Sequence, residues 1–118
     1  MISVIIPTHN RSQDLILALK SVYSQTHLPY EIIVVDDGSS PAILEEIFDS
    51  APESIKCMLL RNNKAKGANF SRNLGVQAAT GQYIAFLDDD DQFYDNKLEC
   101  VNKLIRDVAD VDLIYHPA

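Results

Sequence analysis

Apolar residues in this chain follow two alternating patterns. Short continuous runs rich in β-branched residues are typical of buried strands, and stretches with an apolar residue every three or four positions are typical of amphipathic helices. The pattern predicts strands over residues 2–7, 32–35, 54–63, 83–88 and 111–116. It predicts helices over residues 10–25, from 41 through 48, over 66–81 and over 95–110.

Each predicted helix has one apolar face and signals at its ends. Ser12 is placed as the N-cap of the first helix, Gly81 as the stop of the third, and Asn96 with Glu99 as a capping box on the last. Gly75 permits close packing of the third helix. The four faces comprise Leu15, Ala18, Leu19, Val22 and Tyr23; Ile43, Leu44, Ile47 and Phe48; Phe70, Leu74 and Ala78; and Leu98, Val101, Leu104, Ile105 and Val108.

Strict alternation of strands and helices predicts the fold class. Strands that are apolar throughout are typical of a parallel sheet buried on both faces. We therefore expect an α/β fold, a parallel Rossmann-like sheet with helices on both faces. In such sheets ligands bind beyond the carboxyl ends of the strands, where the strand order reverses.

Polar residues concentrate at these strand ends. They lie in loops 7–11, 36–40, 61–67 and 88–91, and two of these loops hold six of the 17 acidic residues. Asp88 and Asp90 are separated by one residue, so a turn would bring both carboxylates to one point, where a hard cation such as Mg²⁺ or Mn²⁺ would bind. The alternative is a solvated acidic loop in which Asp91 or Asp95 caps the next helix.

Composition narrows the class of partner and the compartment. The 118 residues are 47% hydrophobic and carry a formal net charge of −7, without a basic stripe, so we expect no nucleic-acid partner. Cys57 and Cys100 lie in apolar segments and are interpreted as reduced core thiols, which fits a cytoplasmic setting. The amino-terminal segment does not resemble a signal peptide or a membrane span.

Other acidic or phosphate-binding motifs do not fit the sequence. An EF-hand loop starting at Asp88 would need glycine where Phe93 stands. The P-loop and the dinucleotide fingerprint are both missing from the sequence. A receiver domain would need acidic residues after the first strand, where Thr8-His9-Asn10 occur. His9 has no Ser or Cys nucleophile with it in the sequence pattern, and we interpret it as structural or solvated.

Four sequence blocks together resemble a known family. They are SVIIPTHNR, EIIVVDDGSS, GANFSRNLGVQAATGQYIAFLDDDD and DNKLE, which occur in order over nearly the whole chain. This arrangement resembles the inverting family 2 glycosyltransferases, which have the GT-A fold and use nucleotide-sugar donors. The combination is far more specific than an isolated Asp-x-Asp motif.

The resemblance implies roles for individual residues. It places the nucleotide base and ribose at the first-strand loop, the base at the second aspartate after strand two, and the metal at the Asp-x-Asp loop. Asp91 is expected to be a turn or capping residue. The implied nucleotide-binding residues are Pro7, Thr8, Asn10, Arg11, Asp37, Arg72, Asp88 and Asp89, and the implied metal ligands are Asp88 and Asp90.

The implied reaction moves a sugar from a nucleoside diphosphate donor, most often UDP-linked, to an acceptor hydroxyl. It requires Mn²⁺ or Mg²⁺ and belongs to polysaccharide biosynthesis. The implied partners are a nucleoside diphosphate sugar and a glycan or lipid-linked acceptor. The implied location is the cytoplasm, including attachment to the inner face of the membrane through segments outside this chain.

Residues 1–118 are expected to be the nucleotide-sugar-binding part of a GT-A domain, truncated before the acceptor half and inactive alone. The catalytic base is expected beyond Ala118 and is unknown here. The missing half predicts self-association through an exposed edge, because the strand at 111–116 would lack its cover. The alternative function is that of a non-catalytic nucleotide-binding or structural module.

Overall fold

The computed structural model describes residues 1–107, which form a layered α/β domain. Its strands are β1 (Ile2–Thr8), β2 (Glu31–Asp37), β3 (Lys56–Asn62) and β4 (Tyr83–Phe86). Its helices are α1 (Ser12–Tyr23), α2 (Ala68–Ala78) and α3 (Lys97–Asp107), with a 3₁₀ turn at Glu45–Phe48. The expected alternation of strands and helices is therefore confirmed, except in the segment between β2 and β3.

The four strands pair in parallel in the order β3-β2-β1-β4. Ile5 of β1 lies beside Ile33 of β2 on one side and Phe86 of β4 on the other. The chain adds strands on one side of β1 up to β3 and then crosses to the other side for β4. The strand order thus reverses between β1 and β4, and this places a ligand site at their carboxyl ends.

Helices pack against both faces of the central strands, as predicted. Successive side chains of a strand point to opposite faces, so β1 and β2 contribute to two clusters. The larger cluster packs against α1 and Leu98 of α3, and the smaller one packs against Leu74 and Ala78 of α2. The strand residues in the larger cluster are Ile2, Val4, Ile6, Ile32 and Val34, and those in the smaller are Ile5, Ile33 and Val35.

Helix α2 lies close to the sheet because of Gly75. A Cβ atom at Gly75 would lie 2.6 Å from Cγ2 of Ile5. The predicted packing role of this glycine is therefore confirmed. The predicted apolar face of α2 was wrong at Phe70, which is 45% exposed, because the helix presents Ser71 and Gly75 to the sheet instead. Gly81 is not the stop of α2, which ends at Ala78.

The edge of the sheet opposite the carboxyl ends is fixed by a buried carboxylate. Glu31 accepts hydrogen bonds from the Ser3 hydroxyl at 2.7 Å and from the Thr80 N–H at 2.6 Å. Burial would raise the pKa of Glu31, but these hydrogen bonds outweigh it and lower the pKa. Glu31 thereby connects β1 and β2 to the segment between α2 and β4.

The helix predicted from residue 41 through 48 is wrong. Only Glu45–Phe48 turn, as a 3₁₀ helix, and Leu44 is extended and 60% exposed. The N–H of Ile43 donates to Oδ2 of Asp36, which commits that N–H to a carboxylate outside the segment. Ile47 and Phe48 still pack against the larger core cluster.

Smaller expectations also need correction. Ser12 is the first residue of α1 instead of its N-cap. The Glu99 carboxylate accepts a hydrogen bond from Thr26, and the Leu98 N–H at the start of α3 donates to Gln25, so the segment just after α1 fixes this terminus. Cys100 is exposed and therefore not a core thiol, while Cys57 is half-buried.

Two remaining expectations concern the end of the chain. The predicted strand at 111–116 and the inward-facing Val108 lie outside the described residues.

Within residues 1–107, every helix is too short or too polar to cross a membrane.

Candidate functional site

A cleft of about 370 Å³ opens at the carboxyl ends of β1 and β4, where the strand order reverses. Seven of the eight residues predicted to bind nucleotide line it, together with Asp90. Its lining comprises Pro7, Thr8, Arg11, Asp37, Arg72, Asp88, Asp89 and Asp90, joined by His9, Ala68 and Ser71. The fold therefore gathers the two acidic loops and two arginines around one space.

Asp37, the last residue of β2, is held by the segment that follows β3. Its Oδ1 accepts hydrogen bonds from Nδ2 of Asn62 at 2.9 Å and from the N–H of Lys66 at 2.8 Å. Its Oδ2 accepts one from the N–H of Gly67 at 2.9 Å. Burial would raise the pKa of Asp37, but these donors and the nearby His9 outweigh burial and lower the pKa. Asp37 is thus a fixed anion in the cleft wall.

The turn after Asp37 is built on Asp36 and a glycine. Fully buried Asp36 accepts hydrogen bonds from the N–H groups of Ser39 and Ile43 and pairs with Arg61. Burial would raise its pKa, but the hydrogen bonds and the Arg61 charge lower it. Gly38 has a φ of 71°, and a Cβ atom there would lie 2.7 Å from the Ala65 nitrogen. Only glycine allows the turn to approach that backbone so closely.

The acidic loop after β4 folds back on itself. The N–H of Asp91 donates to the carbonyl of Asp88, which closes a turn and confirms Asp91 as a turn residue. Asp89 is buried and accepts a hydrogen bond from the Thr8 hydroxyl at 2.9 Å. Asp88 and Asp90 stay exposed at 57% and 56% of their side-chain surfaces. The loop therefore anchors one carboxylate and presents two.

Two arginines pair with the presented carboxylates. Nη2 of Arg72 lies 3.0 Å from Oδ1 of Asp88. Nη1 of Arg11 lies 3.0 Å from Oδ2 of Asp90 and 3.4 Å from Oδ1 of Asp89. Guanidinium groups bind phosphate as well as carboxylate through several parallel N–H donors. The same arginines can therefore turn to an anionic ligand in the cleft.

The two exposed carboxylates are of the donor type that divalent cations prefer. Within residues 1–107, His, Cys, Asp and Glu side chains form no group of three or more suited to a metal ion. Mg²⁺ is commonly held by one or two carboxylates, with phosphate oxygens and water completing its shell. Asp88 and Asp90 match that pattern in donor type and number.

Asn10 and His9 connect the first two strand-end loops. Asn10 has a positive φ of 54°, and it contacts Ser39 and Ser40 instead of lining the cleft. Nδ1 of His9 lies 2.6 Å from the carbonyl oxygen of Asp37. The structural interpretation of His9 is consistent with this contact, although its ring also lines the cleft.

Sequence reasoning missed Asn62 and Ser71. Both are buried, and Asn62 donates to both Asp37 and Ser71. One signal was available, because Asn62 ends β3 at the same sheet edge as Asp37, and the two residues are register partners. The chemistry of a strand-end asparagine alone did not distinguish it from Asn63.

Comparison with known proteins identifies the family of the chain. The sequence model of Glycosyl transferase family 2 matches residues 3–115. An uncharacterized glycosyltransferase of Haemophilus influenzae is 37% identical over 118 residues, which cover 100% of this chain and 39% of that protein. The UDP-Glc:alpha-D-GlcNAc-diphosphoundecaprenol beta-1,3-glucosyltransferase WfgD of Escherichia coli is 38% identical over 99 residues, covering 84% and 38% respectively. This chain therefore spans less than two fifths of either relative.

Solved structures agree with this relationship. The crystal structure of Staphylococcus aureus TarS 1-349 superposes with a TM-score of 0.79 at 25% identity, covering 90% of this chain and 32% of that one. The same TarS segment in complex with UDP-GlcNAc gives a TM-score of 0.77 at 25% identity, covering 90% and 31%. The parallel sheet described above is thus the amino-terminal, Rossmann-like part of a GT-A fold.

Proposed function

This chain belongs to glycosyltransferase family 2, and we propose that it binds the donor of a metal-dependent, inverting transfer from a UDP-sugar to an acceptor hydroxyl. The observation that carries the proposal is the convergence of Asp37, Arg72 and the 88–90 loop on one cleft. A nucleoside diphosphate sugar carries a base with polar edges and a dianionic diphosphate. The cleft offers one buried carboxylate for the base and cationic groups for the diphosphate.

The proposed arrangement follows the positions of the side chains. The base lies against Asp37, and the ribose lies over the β1 loop formed by Pro7, Thr8 and Arg11. Asn10 acts from outside the cleft by holding that loop to Ser39 at a nitrogen–oxygen distance of 2.9 Å. Arg72 turns from Asp88 towards the diphosphate.

Asp90 and Asp88 would hold Mn²⁺ or Mg²⁺ beside the diphosphate. When bound, the ion neutralises negative charge that develops on the departing nucleoside diphosphate. Buried Asp89 fixes the loop through its hydrogen bond with Thr8. Replacement of the carboxylate–arginine pairs by carboxylate–metal and arginine–phosphate contacts leaves Asp88, Asp90 and the arginines each beside an opposite charge.

The acceptor is proposed to be a glycan or a lipid-linked sugar. The E. coli relative is named for a diphosphoundecaprenol-linked acceptor. A lipid-linked acceptor would place the reaction at the cytoplasmic face of a membrane. The chain spans only part of its relatives, so we propose that the acceptor site and the catalytic base belong to the remainder of the whole protein.

The test is calorimetric titration of UDP with and without Mn²⁺. We expect UDP binding that strengthens with Mn²⁺ in the wild-type chain. Asp90→Asn should lose most of that strengthening, roughly tenfold or more in Kd, because one metal ligand loses its charge. Asp91→Asn is the matched control, since Asp91 closes the turn and does not line the cleft.

Each outcome bears on a different part of the proposal. If Asp90→Asn retains the full metal effect, Asp90 is not a ligand. If UDP fails to bind with or without Mn²⁺, donor binding by this chain is contradicted.

A further inference from the structure

Asn62 commits both of its amide N–H groups inside the wall of the cleft. It ends β3, is 7% exposed, and lies beside Asp37 in the register of the sheet. Nδ2 donates to Oδ1 of Asp37 at 2.9 Å and to Oγ of Ser71 at 3.3 Å. Since Ser71 is fully buried in α2, the orientation of the amide is fixed from two elements.

The hydrogen bonds around Asp37 leave little accepting capacity. An ionised carboxylate has about four lone-pair positions, two on each oxygen. Oδ1 accepts from Asn62 and Lys66, and Oδ2 accepts from Gly67. Oδ1 is therefore full, and one position remains, on Oδ2. A ligand in the cleft can give Asp37 one hydrogen bond without displacing a protein donor.

We infer that Asn62 is a specificity-determining positioning residue, which restricts Asp37 to a base that presents one N–H donor at its pairing edge. Uracil has this character, because its single imino N–H lies between two carbonyl groups. Guanine presents an imino and an amino N–H side by side, and a carboxylate receives both only when each oxygen is available. The inference rests on the proposed binding of a nucleoside diphosphate to this cleft.

The penalty against guanine comes from an unpaired donor. With Oδ1 of Asp37 filled by Asn62 and Lys66, the amino group of guanine would be buried against an oxygen that cannot accept it. Leaving one buried donor unsatisfied lowers affinity by about tenfold or more. Hypoxanthine has the size of guanine but lacks this amino group, so it avoids the penalty.

The experiment titrates UDP, IDP and GDP into three proteins at one Mn²⁺ concentration. In the wild-type chain, GDP should bind at least about tenfold more weakly than IDP. Asn62→Ala frees one position on Oδ1, so GDP should gain affinity relative to both UDP and IDP. Asn63→Ala makes the same chemical change at an exposed neighbouring residue and should leave all ratios unchanged.

The comparison with IDP distinguishes an effect of the guanine amino group from an effect of purine size. If removal of the Asn62 side chain only makes room for a purine, IDP and GDP gain equally, and the inference is overturned. It is also overturned if Asn62→Ala weakens all three nucleotides by one factor, which is the result for a merely structural residue. Asn62→Leu, which keeps the number and branching of the side-chain heavy atoms but has no donor, provides the same comparison if the alanine variant does not fold.

The ratio of IDP to GDP affinity in the wild-type chain tests the inference without any variant. Equal affinities for IDP and GDP in the wild-type chain contradict the inference while leaving the proposed function intact. A chain that binds none of the three nucleotides overturns both. A UDP preference that falls only in Asn62→Ala, with GDP gaining over IDP, supports both.

Discussion

At the scale of single residues, Asp37 combines a structural and a proposed binding role in one carboxylate. Three donors hold it, and its pKa lies below the ordinary value despite burial. Asp36 next to it also has a lowered pKa, because hydrogen bonds and Arg61 outweigh the effect of burial. Both aspartates are ionised in the folded chain at neutral pH, so the turn after β2 depends on two buried charges.

This dependence predicts acid sensitivity. An unfolded aspartate has a pKa of about 3.9, and the folded values of Asp36 and Asp37 are lower. Their ionised forms therefore stabilise the fold above about pH 4, and this stabilisation is lost as the pH falls through the lowered pKa values. Asp37→Asn should lower the free energy of unfolding at pH 7 by roughly 1–3 kcal/mol and make its decline below pH 4 shallower.

Urea unfolding followed by circular dichroism between pH 7 and pH 3 measures both effects. Asp49→Asn removes the same charge at an exposed site and serves as the control. An Asp37→Asn curve that runs parallel to the wild-type curve down to pH 3 would contradict the lowered pKa of Asp37.

The candidate site residues could be predicted where the pattern of strands and helices determined their position in the fold. Asp37 and the 88–90 aspartates were expected after strands and Arg72 on the third helix, and the fold brings them to one cleft. Asn62 was not predicted, because its role depends on the side chains of Asp37 and Ser71, which lie 25 and 9 residues away in the chain. The local sequence does not show which distant side chains will form such hydrogen bonds.

At the scale of elements, the close contact between α2 and the sheet depends on Gly75. Gly75→Ala would place a methyl group 2.6 Å from Cγ2 of Ile5 in the unrelaxed structure. Overpacking of this kind costs about 1–3 kcal/mol, which exceeds the gain of up to about 1 kcal/mol from replacing a helical glycine by alanine. We expect Gly75→Ala to lower the melting temperature by several degrees.

Gln77→Ala is the matched control for this substitution. Gln77 is exposed on the same helix, so alanine there adds helix propensity without a clash. Thermal unfolding of both variants compares the two effects directly. If Gly75→Ala melts at or above the wild-type temperature, the close approach of α2 to β1 is not as the structure describes.

Elements with a strong period were predicted well, and those governed by distant side chains were not. The apolar face of α1 was correct because Leu15, Ala18, Leu19 and Val22 all lie in the core. The segment after Pro41 had a helical spacing too, yet the Asp36 carboxylate binds the N–H of Ile43. A local period does not reveal where a carboxylate from another element binds the backbone of the segment.

At the scale of the whole molecule, the sheet order determines where the chemistry lies. Alternating strands and helices predict a parallel sheet, but they do not say on which side of β1 the strand β4 is added. The observed order β3-β2-β1-β4 puts the 88–90 loop across the cleft from Asp37. The position of the 88–90 loop relative to Asp37 could therefore not be predicted from the sequence.

Among the residues that the structure describes, the same order leaves one apolar side of β4 exposed. Ile84 and Phe86 are 37% and 49% exposed, while Tyr83 and Ala85 pack against the larger core cluster. We expect the chain to self-associate through this surface at high concentration, because exposed apolar strands at a sheet edge promote pairing. Sedimentation velocity should show a mass that rises with concentration in the wild-type chain and less so in Phe86→Ser.

Tyr94→Ser is the control for this experiment. Tyr94 is 68% exposed but lies in the loop before α3 instead of on β4. A wild-type chain that remains monomeric over the whole concentration range contradicts the prediction. Equal effects of the two substitutions would show that β4 is not the surface involved.

The central claim is that a nucleoside diphosphate binds across Asp37 and the 88–90 loop. The most direct measurement is an amide chemical-shift titration of the ¹⁵N-labelled chain with UDP in the presence of Mg²⁺. We predict the largest changes at Thr8, Lys66, Gly67 and residues 88–90, with little change around Glu31 and Thr80 at the opposite edge. Undisturbed amides around the cleft, or changes centred on the opposite edge, would contradict it.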